Sequence, residues 1–190
     1  MYLEADLSNL GGFEQKEYRI GEICTIEKGK SPIKKTAPGA YPLVVTAEER
    51  ATSAEYQFDG EAVCIPLVSS TGHGHASLKR IHYQKGKFAV GNILCAVYSN
   101  DESILLTKYL YIYLSHYKDE LLVPLMKGTT NVSLNVKDIS NQFIYIPDTD
   151  VQMEIVEKYE LFVLAKLKLE EIEGSISEFN KAYWREIFTT

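Results

Sequence analysis

A long heptad pattern in the carboxyl-terminal part constrains this chain of 190 residues more than any other feature. From position 151 onward, apolar residues recur at alternating steps of three and four, which is typical of a coiled-coil helix. Thr149 and Gln152 follow Pro147 with the spacing of a capping box, which predicts the start of the helix. The residues predicted to form the contact seam are Phe162, Ala165, Leu169, Ile172, Ile176, Phe179 and Tyr183.

The length of this helix predicts a partner helix. About 37 residues rise roughly 55 Å at 1.5 Å per residue, and the rest of the chain is too small to cover a seam of that length. A second copy of the chain, or a second repeat in a longer chain, must bury the remainder. We therefore expect a homodimer, or pairing with a second half, through this helix.

The composition is that of a globular protein, with 45% hydrophobic and 24% charged residues. The three cysteines, Cys24, Cys64 and Cys95, form no CxxC pair, and we interpret them as reduced thiols of the core. The first residues lack the features of a secretory signal, and no apolar run approaches the ~20 residues of a membrane span. These observations predict a cytoplasmic protein.

The distribution of charge matters more than the net charge of −6. No Asp or Glu occurs from Ala62 to Asn100, a stretch that holds Lys79, Arg80, Lys85 and Lys87. A second basic cluster is Lys28, Lys30, Lys34 and Lys35. Because salt screens charges beyond about 8–10 Å, an acidic protein can still present a basic face to a polyanion. The alternative, that carboxylate-free strands are simply buried, accounts less well for the polar, basic piece between the strands.

Residues before the long helix read as a mixed α/β arrangement. Apolar runs predict strands over 41–46, 61–68, 78–83, 87–98 and 141–146, with a turn at Lys85-Gly86. Tyr18–Glu27 reads as a helical turn or a short strand. Helical spacing of leucines and tyrosines predicts a helix over 105–122. Polar, glycine-bearing loops are predicted at 69–76 and 127–135, and residues 1–17 read as a loosely tied lead-in.

The order of these segments resembles one half of the specificity (S) subunit of type I restriction–modification systems, over residues 18–190. The strings that carry the resemblance are Tyr18-Arg-Ile-Gly-Glu-Ile-Cys, Glu27-Lys-Gly-Lys, Tyr41-Pro-Leu-Val, Phe58-Asp-Gly-Glu, Ser69-Ser-Thr-Gly-His-Gly-His-Ala, Lys108-Tyr-Leu-Tyr-Ile-Tyr-Leu, Lys127-Gly-Thr-Thr through Leu134-Asn, and Ile144-Tyr-Ile-Pro followed by Gln152. Family members usually hold two such repeats, and this chain holds one. The family's usual Pro-Pro-Leu-x-x-Gln lead into the helix is here Pro-Asp-Thr-Asp-Val-Gln.

The resemblance implies a fold and a set of partners. It implies an α/β (mixed α+β) target-recognition domain with a curved mixed sheet at 18–147, after the lead-in of 1–17. Residues 148–190 would form the long helix, which pairs antiparallel with another. The implied partners are double-stranded DNA, methyltransferase subunits that use S-adenosylmethionine, and a translocating restriction subunit. S-adenosylmethionine, ATP and Mg²⁺ are expected on those subunits, and no cofactor is expected on this chain.

Side-chain chemistry then suggests which residues touch DNA. Glycines in the 69–76 loop permit close backbone approach, and short donors suit base edges in the major groove. Arg80 suits guanine, Asn131 suits adenine, and lysines suit phosphate. For each of these segments, an ordinary solvated loop or hairpin is the competing interpretation. The predicted DNA contacts are Lys30, Lys34, Lys35, Ser69, Ser70, Thr71, His73, His75, Lys79, Arg80, Lys127, Thr129, Thr130 and Asn131.

Catalytic motifs find little support in the sequence. The chain lacks a P-loop, a Gly-x-Ser-x-Gly elbow and the Asn-Pro-Pro-aromatic motif of amino-methyltransferases, and Asp6 with Glu14-x-Lys16 only mimics a nuclease pattern. We therefore expect a non-catalytic recognition subunit without a metal. Three alternatives remain open. They are the recognition module of a fused restriction–methylation enzyme, a coiled-coil interaction module without nucleic-acid binding, and a zinc hydrolase using His73 and His75 with Cys64 or Cys95.

Overall fold

The computed structural model describes residues 12–71 and 74–188, and the chain divides into two compact units, Met1–Met153 and Glu154–Thr190. The first unit holds every strand within those described ranges, together with the short helices. The second unit is the greater part of one long helix. The division falls after Met153, inside that helix.

Strands and helices alternate irregularly along the first unit. The strands are β1 Gln15–Arg19, β2 Cys24–Lys28, β3 Tyr41–Val44, β4 Ala51–Ser53, β5 Phe58–Pro66, β6 His82–Val90, β7 Leu94–Ser99 and β8 Phe143–Pro147. The helices are α1 Ile20–Ile23, α2 Thr107–Leu121, α3 Val136–Asn141 and α4 Thr149–Phe188, with a 3₁₀ turn at Val123–Leu125.

The strands form one large sheet and one separate pair. The large sheet has the order β2-β7-β5-β6-β3-β4, and β1 pairs with β8. The β3–β6 pairing is parallel and the others are antiparallel, so the sheet is mixed, as predicted. One face buries a core that includes Val44, Phe58, Phe88 and Leu94.

A close backbone contact at Gly29, directly after β2, positions the segment that follows this strand. The Gly29 N–H donates to the Leu94 carbonyl over 2.9 Å, and the Ser31 N–H donates to the Val90 carbonyl over 3.2 Å. A β-carbon at position 29 would lie 2.2 Å from the Gly91 carbonyl oxygen, closer than packed atoms approach. The segment after β2 therefore lies against the end of β6 and the turn that follows it, and only glycine fits there.

All three cysteines are free and buried, as the sequence predicted. Burial raises the pKa of Cys24 and of Cys95 to about 12, and it raises the pKa of Cys64 further. These thiols are therefore protonated core groups at neutral pH and poor nucleophiles.

Helical periodicity predicted α2 and α4 correctly, but several strand limits were wrong. Lys85-Gly86 is no turn, because β6 runs through it with Gly86 (φ +83°) opposite Gly60 (φ +142°) in β5. Paired glycines here bend the strands without ending them. The chain turns instead at Gly91–Ile93, which divides the strand predicted over 87–98. Residues 15–17, predicted as lead-in, belong to β1, and the sequence did not reveal β4 or α3.

A buried carboxamide fixes the start of α4. Gln152 is fully buried, and its Oε1 accepts from the Leu106 N–H over 2.9 Å. Its Nε2 donates to the carbonyls of Ile104 and Pro147, both over 2.8 Å. The capping box predicted for Thr149 and Gln152 is therefore wrong, because Gln152 bonds the segment before α2 and the Thr149 hydroxyl donates to the Ser103 carbonyl.

The remainder of α4 presents its apolar residues to solvent. Phe162, Leu169, Ile172, Ile176, Phe179 and Tyr183 of the predicted seam are each at least half exposed. Trp184 and Phe188 lie on another side of the helix and stack on each other with ring centroids 5.7 Å apart. No helix in the described part of the chain has both the length and the apolar character required to cross a membrane.

Replacing Gln152 by alanine should lower the free energy of unfolding by about 2–4 kcal/mol, since it orphans one buried N–H and two carbonyls. Urea denaturation measures this loss. Gln142→Ala is the matched control, because the Gln142 amide bonds only the adjacent Phe143 carbonyl and should cost under about 1 kcal/mol. Equal losses in the two variants would contradict the structural role assigned to Gln152.

Candidate nucleic-acid interface

Two of the polar loops predicted from the sequence lie side by side. The Ser69 N–H donates to the Val132 carbonyl over 3.0 Å, and the Leu134 N–H donates to the Leu67 carbonyl over 2.9 Å. Lys127 and Ser133 exchange backbone hydrogen bonds of 2.8 and 2.9 Å, which closes the second loop into a tight hairpin. The segments around 69 and 132, more than sixty positions apart in sequence, thus form one surface.

A glycine brings the tips of these loops together. Gly74 has a left-handed backbone (φ +81°), and a β-carbon there would lie 2.3 Å from the Thr129 carbonyl oxygen. Both the backbone conformation and the close approach exclude larger residues. The sequence suggested that glycine lets this loop approach a ligand, but in the structure Gly74 lets it approach the other loop.

The turn Gly91–Ile93 connects this surface to the basic loop after β2. The Asn92 N–H donates to the Ser31 carbonyl over 2.9 Å, and the Leu67 N–H donates to the Ile93 carbonyl over 2.8 Å. We call the joined segments 29–36, 67–71, 74–79, 91–93 and 127–134 the loop platform. The platform unites three groups of predicted DNA contacts in one region of the fold.

Hydroxyl groups of the first loop are used to hold its own backbone. The Ser69 hydroxyl donates to the His75 carbonyl over 2.6 Å and accepts from the Ser77 N–H over 3.1 Å. The Ser70 hydroxyl donates to the Ser77 carbonyl over 2.9 Å and accepts from the Lys79 N–H over 2.8 Å. The Thr71 hydroxyl also donates to the His75 carbonyl. Each hydroxyl has one proton, so these contacts favour a structural role for Ser69, Ser70 and Thr71.

Other predicted residues are free to meet a ligand. His75, Lys79, Thr129, Thr130 and Asn131 are exposed, and their side chains make no hydrogen bond or ion pair with the described residues. Lys30, Lys34 and Lys35 are exposed on the basic loop, which Gln57 fixes through the Lys30 N–H and the Lys28 carbonyl. His73 lies outside the described residues.

Two predicted cations already have partners. Arg80 pairs with Glu48 at 2.9 Å, and its side chain is only 27% exposed. Lys127 pairs with Asp138 at 3.1 Å, but its side chain is 76% exposed. Exposed pairs contribute little, so the exposed Lys127 can exchange its partner for a phosphate, whereas the partly buried Arg80 would also have to leave its packed position. Arg80 is therefore poorly placed as a guanine reader in this conformation.

A polar cluster beside Arg80 was not predicted. The Arg50 guanidinium donates to Gln84 Oε1 over 2.9 Å, to the Glu48 carbonyl over 3.0 Å and to His82 Nδ1 over 3.1 Å. Burial, and then the positive charges of Arg50 and Arg80, lower the pKa of His82 to about 4. The neutral imidazole can therefore accept from Arg50 at physiological pH. This cluster holds the segment that carries Glu48, and no motif in the sequence reveals it.

The zinc alternative gains no support from the described residues. Among them, no group of three or more His, Cys, Asp or Glu side chains is arranged to hold a metal ion. Cys64 and Cys95 are completely buried in the core, whereas His75 is exposed on the loop platform.

Gly74→Ala should separate the two loops without unfolding the protein. A β-carbon there collides with the Thr129 backbone and adds about 1–2 kcal/mol of backbone strain. Hydrogen–deuterium exchange should become faster in both 67–79 and 127–134. Gly86→Ala is the matched control, since Gly86 has φ +83° but no atom within 4 Å of its β-carbon position. Faster exchange in both loops of Gly86→Ala, or in neither loop of Gly74→Ala, would argue against the contact.

Comparisons with known proteins agree with this architecture. The model of the family described as "Type I restriction modification DNA specificity domain" matches residues 14–175. No curated protein matches the chain at a significant level.

Solved structures of the same kind share the fold. The S subunit of a type I restriction–modification system from M. genitalium aligns with a TM-score of 0.66 and 16% identity, covering 90% of this chain and 44% of that one. The HsdS subunit from Thermoanaerobacter tengcongensis aligns with a TM-score of 0.56 and 19% identity, and the alignment covers 83% of this chain and 39% of that one. A chain from a structure on complex assembly and conformational transition of the type I R-M system aligns with a TM-score of 0.59 and 22% identity. The alignment covers 85% of this chain and 41% of that one.

The chain thus spans less than half the length of these relatives. The family match extends over most of its residues, from the end of the lead-in to the middle of α4. The chain belongs to the family of type I restriction–modification DNA specificity domains.

Proposed function

We propose that this chain recognises one half of a bipartite DNA site as the specificity component of a type I restriction–modification complex. The observation that carries the proposal is the loop platform, where backbone hydrogen bonds join a basic loop to two loops with free polar side chains. A duplex requires this combination, because phosphate contacts position a protein and base contacts specify the sequence.

The platform suggests how these tasks are divided. Lys30, Lys34, Lys35 and Lys79 are exposed cations on backbone held by hydrogen bonds, which suits phosphate. His75, Thr129, Thr130 and Asn131 present donors and acceptors without partners among the described residues, which suits base edges. Asn131, which can bind adenine with both atoms of its amide, is the strongest base-reading candidate of the set.

Chemistry on DNA would come from partner subunits under this proposal. The described residues offer a reading surface and buried thiols with raised pKa, but no arranged group of metal ligands. Methyltransferase subunits would supply S-adenosylmethionine, and the restriction subunit would supply ATP and Mg²⁺. The same surface would serve a recognition module within a fused restriction–methylation enzyme, and the length of the natural gene distinguishes these two arrangements.

A second helix is the proposed partner of α4. Its exposed seam of Phe162, Ala165, Leu169, Ile172, Ile176, Phe179 and Tyr183 would be buried by an antiparallel copy or by a second half of the subunit. Two heads joined in this way would read an interrupted site, which is palindromic when the two halves are identical. The same seam would also suit a coiled-coil module without nucleic-acid binding, so DNA binding must be tested separately.

Selection from randomised duplexes, followed by fluorescence anisotropy, tests DNA recognition. Asn131→Ala should lose about 1–3 kcal/mol of discrimination at one base pair. Lys34→Ala and Lys35→Ala should each weaken binding to all sequences. Each should also reduce the steepness of the plot of log binding constant against log salt concentration by about 1. Lys16→Ala, an exposed lysine of β1 outside the loop platform, is the control. A chain that selects no sequence at any salt concentration would instead support the coiled-coil module.

Ile176→Lys should weaken self-association at least roughly tenfold, since it places a charge in the seam. Analytical ultracentrifugation over a range of concentrations measures the change. Leu167→Lys is the matched control, because Leu167 is exposed to a similar extent (57% against 55%) but lies outside the heptad positions. A wild-type chain that stays monomeric would indicate that a different half supplies the second helix. Equal loss in both variants would contradict the proposed seam.

A further inference from the structure

The turn Gly91–Ile93 occupies a central place in the loop platform. On one side, the Asn92 N–H bonds the Ser31 carbonyl in the basic loop. On the other side, the Ile93 carbonyl accepts from the Leu67 N–H, two residues before Ser69. The turn therefore lies between the basic loop and the polar loops, on the path of a duplex that contacts both.

The turn is held firmly by its neighbours. The Gly91 N–H donates to the Val44 carbonyl and the Leu94 N–H donates to the Gly91 carbonyl, both over 2.9 Å. A β-carbon at Gly91 would lie 2.9 Å from Ile33 Cγ1, so the backbone is closely packed as well as hydrogen-bonded. Side chains that read bases need such a rigid support, because small displacements lose bidentate geometry.

Asn92 is the exposed residue of this turn. Gly91 is buried and Ile93 is half-buried, whereas the Asn92 side chain is exposed and makes no hydrogen bond with the described residues. Its carboxamide offers two donors and one acceptor oxygen without a charge. An uncharged amide attracts phosphate weakly, but it matches the N6 and N7 edge of adenine in the major groove.

Backbone geometry limits the distance between Asn92 and the reading loops. The path from Asn92 to Ser69 consists of one step to Ile93, its hydrogen bond to Leu67 and two further steps along the chain. This path places the two Cα atoms within about 16 Å of each other. Asn131 lies three residues from Leu134, which bonds Leu67, and is therefore within roughly 25 Å of Asn92. Both distances fit inside one turn of B-DNA, about 34 Å. Asn92 and Asn131 can therefore face bases of the same half-site.

We propose that Asn92 is a further specificity-determining residue that reads one adenine of the half-site from the turn between the basic loop and the polar loops. This inference rests on the proposed function, and it adds a base contact that neither a motif nor a charge pattern indicated. It also gives the chain a reading position on the large sheet itself, between β6 and β7.

The test measures the binding of the full-length chain to its selected duplex and to duplexes changed at each single base pair. Asn92→Ala should reduce discrimination about tenfold or more at one adenine position and leave the other positions unchanged. Asn92→Asp keeps the shape but replaces the donors by a carboxylate, which accepts from cytosine N4. It should shift the preference at that same position from adenine toward cytosine.

Asn141→Ala is the matched control, because Asn141 is an exposed asparagine at the end of α3, outside the loop platform. If Asn92→Ala loses affinity equally for all duplexes, Asn92 contacts the DNA phosphate backbone and the inference is overturned. Unchanged discrimination among the duplexes would also overturn it. If the wild-type chain discriminates among duplexes and Asn92→Ala discriminates equally well, the role of Asn92 is disproved and the proposed function stands. If the wild-type chain discriminates among none, the proposed function fails.

Discussion

The first unit depends above all on the hydrogen bonds of the Gln152 carboxamide, which hold the first turn of α4 to the segment before α2. Leu106 precedes the first residue of α2 and has no side-chain cap of its own, so its N–H takes Gln152 Oε1 as partner. The same side chain also donates to the Ile104 carbonyl, before α2, and to the Pro147 carbonyl, before α4. One buried amide thus bonds the segments that precede two helices, and any apolar substitute would leave their polar backbone groups buried without partners. The glutamine that ends the family's helix lead has this physical reason for its identity here.

Glycines have a comparable role in the loop platform, because its segments meet through their backbones. Gly29 lies against the Val90–Gly91 backbone, and Gly74 lies against the Thr129 carbonyl. Both belong to the short strings that resemble the S subunit, Glu27-Lys-Gly-Lys and Ser69-Ser-Thr-Gly-His-Gly-His-Ala. The Ser69 and Ser70 hydroxyls, which belong to the second string, bind the loop's own backbone. These strings therefore encode the geometry of a support, and under the proposed function the DNA contacts belong to exposed residues within and beside them.

Sequence periodicity predicted the elements whose hydrophobic faces are long. The seam of α4 and the spacing of Tyr109, Leu110 and Leu114 in α2 repeat often enough to be recognised, and the buried strands β5 and β7 are nearly continuous apolar runs. The short elements β1, β4 and α3 were missed because three to six residues carry little periodicity. Glycine was misleading at Gly86, where the strand continues without reversing.

At the site, the sequence identified the polar loops but not their junction, since the contact of Gly74 with Thr129 depends on folding of the whole sheet. The ion pair of Arg80 with Glu48, 32 positions away, was equally invisible.

Separating the support from the side chains proposed to read bases would have a consequence for specificity. His75, Asn92, Thr129, Thr130 and Asn131 make no side-chain hydrogen bond with the described residues, so exchanging them removes no internal partner. Such surface substitutions away from caps, cores and buried networks usually change stability by under about 0.5 kcal/mol, whereas a bidentate base contact contributes about 1–3 kcal/mol of discrimination. Gly29, Gly74, Ser69 and Gln152 have the opposite character, because each satisfies or permits a contact with the backbone. Under the proposed function, the preferred base sequence can therefore change at nearly constant stability, provided that the backbone contacts between the loops are retained.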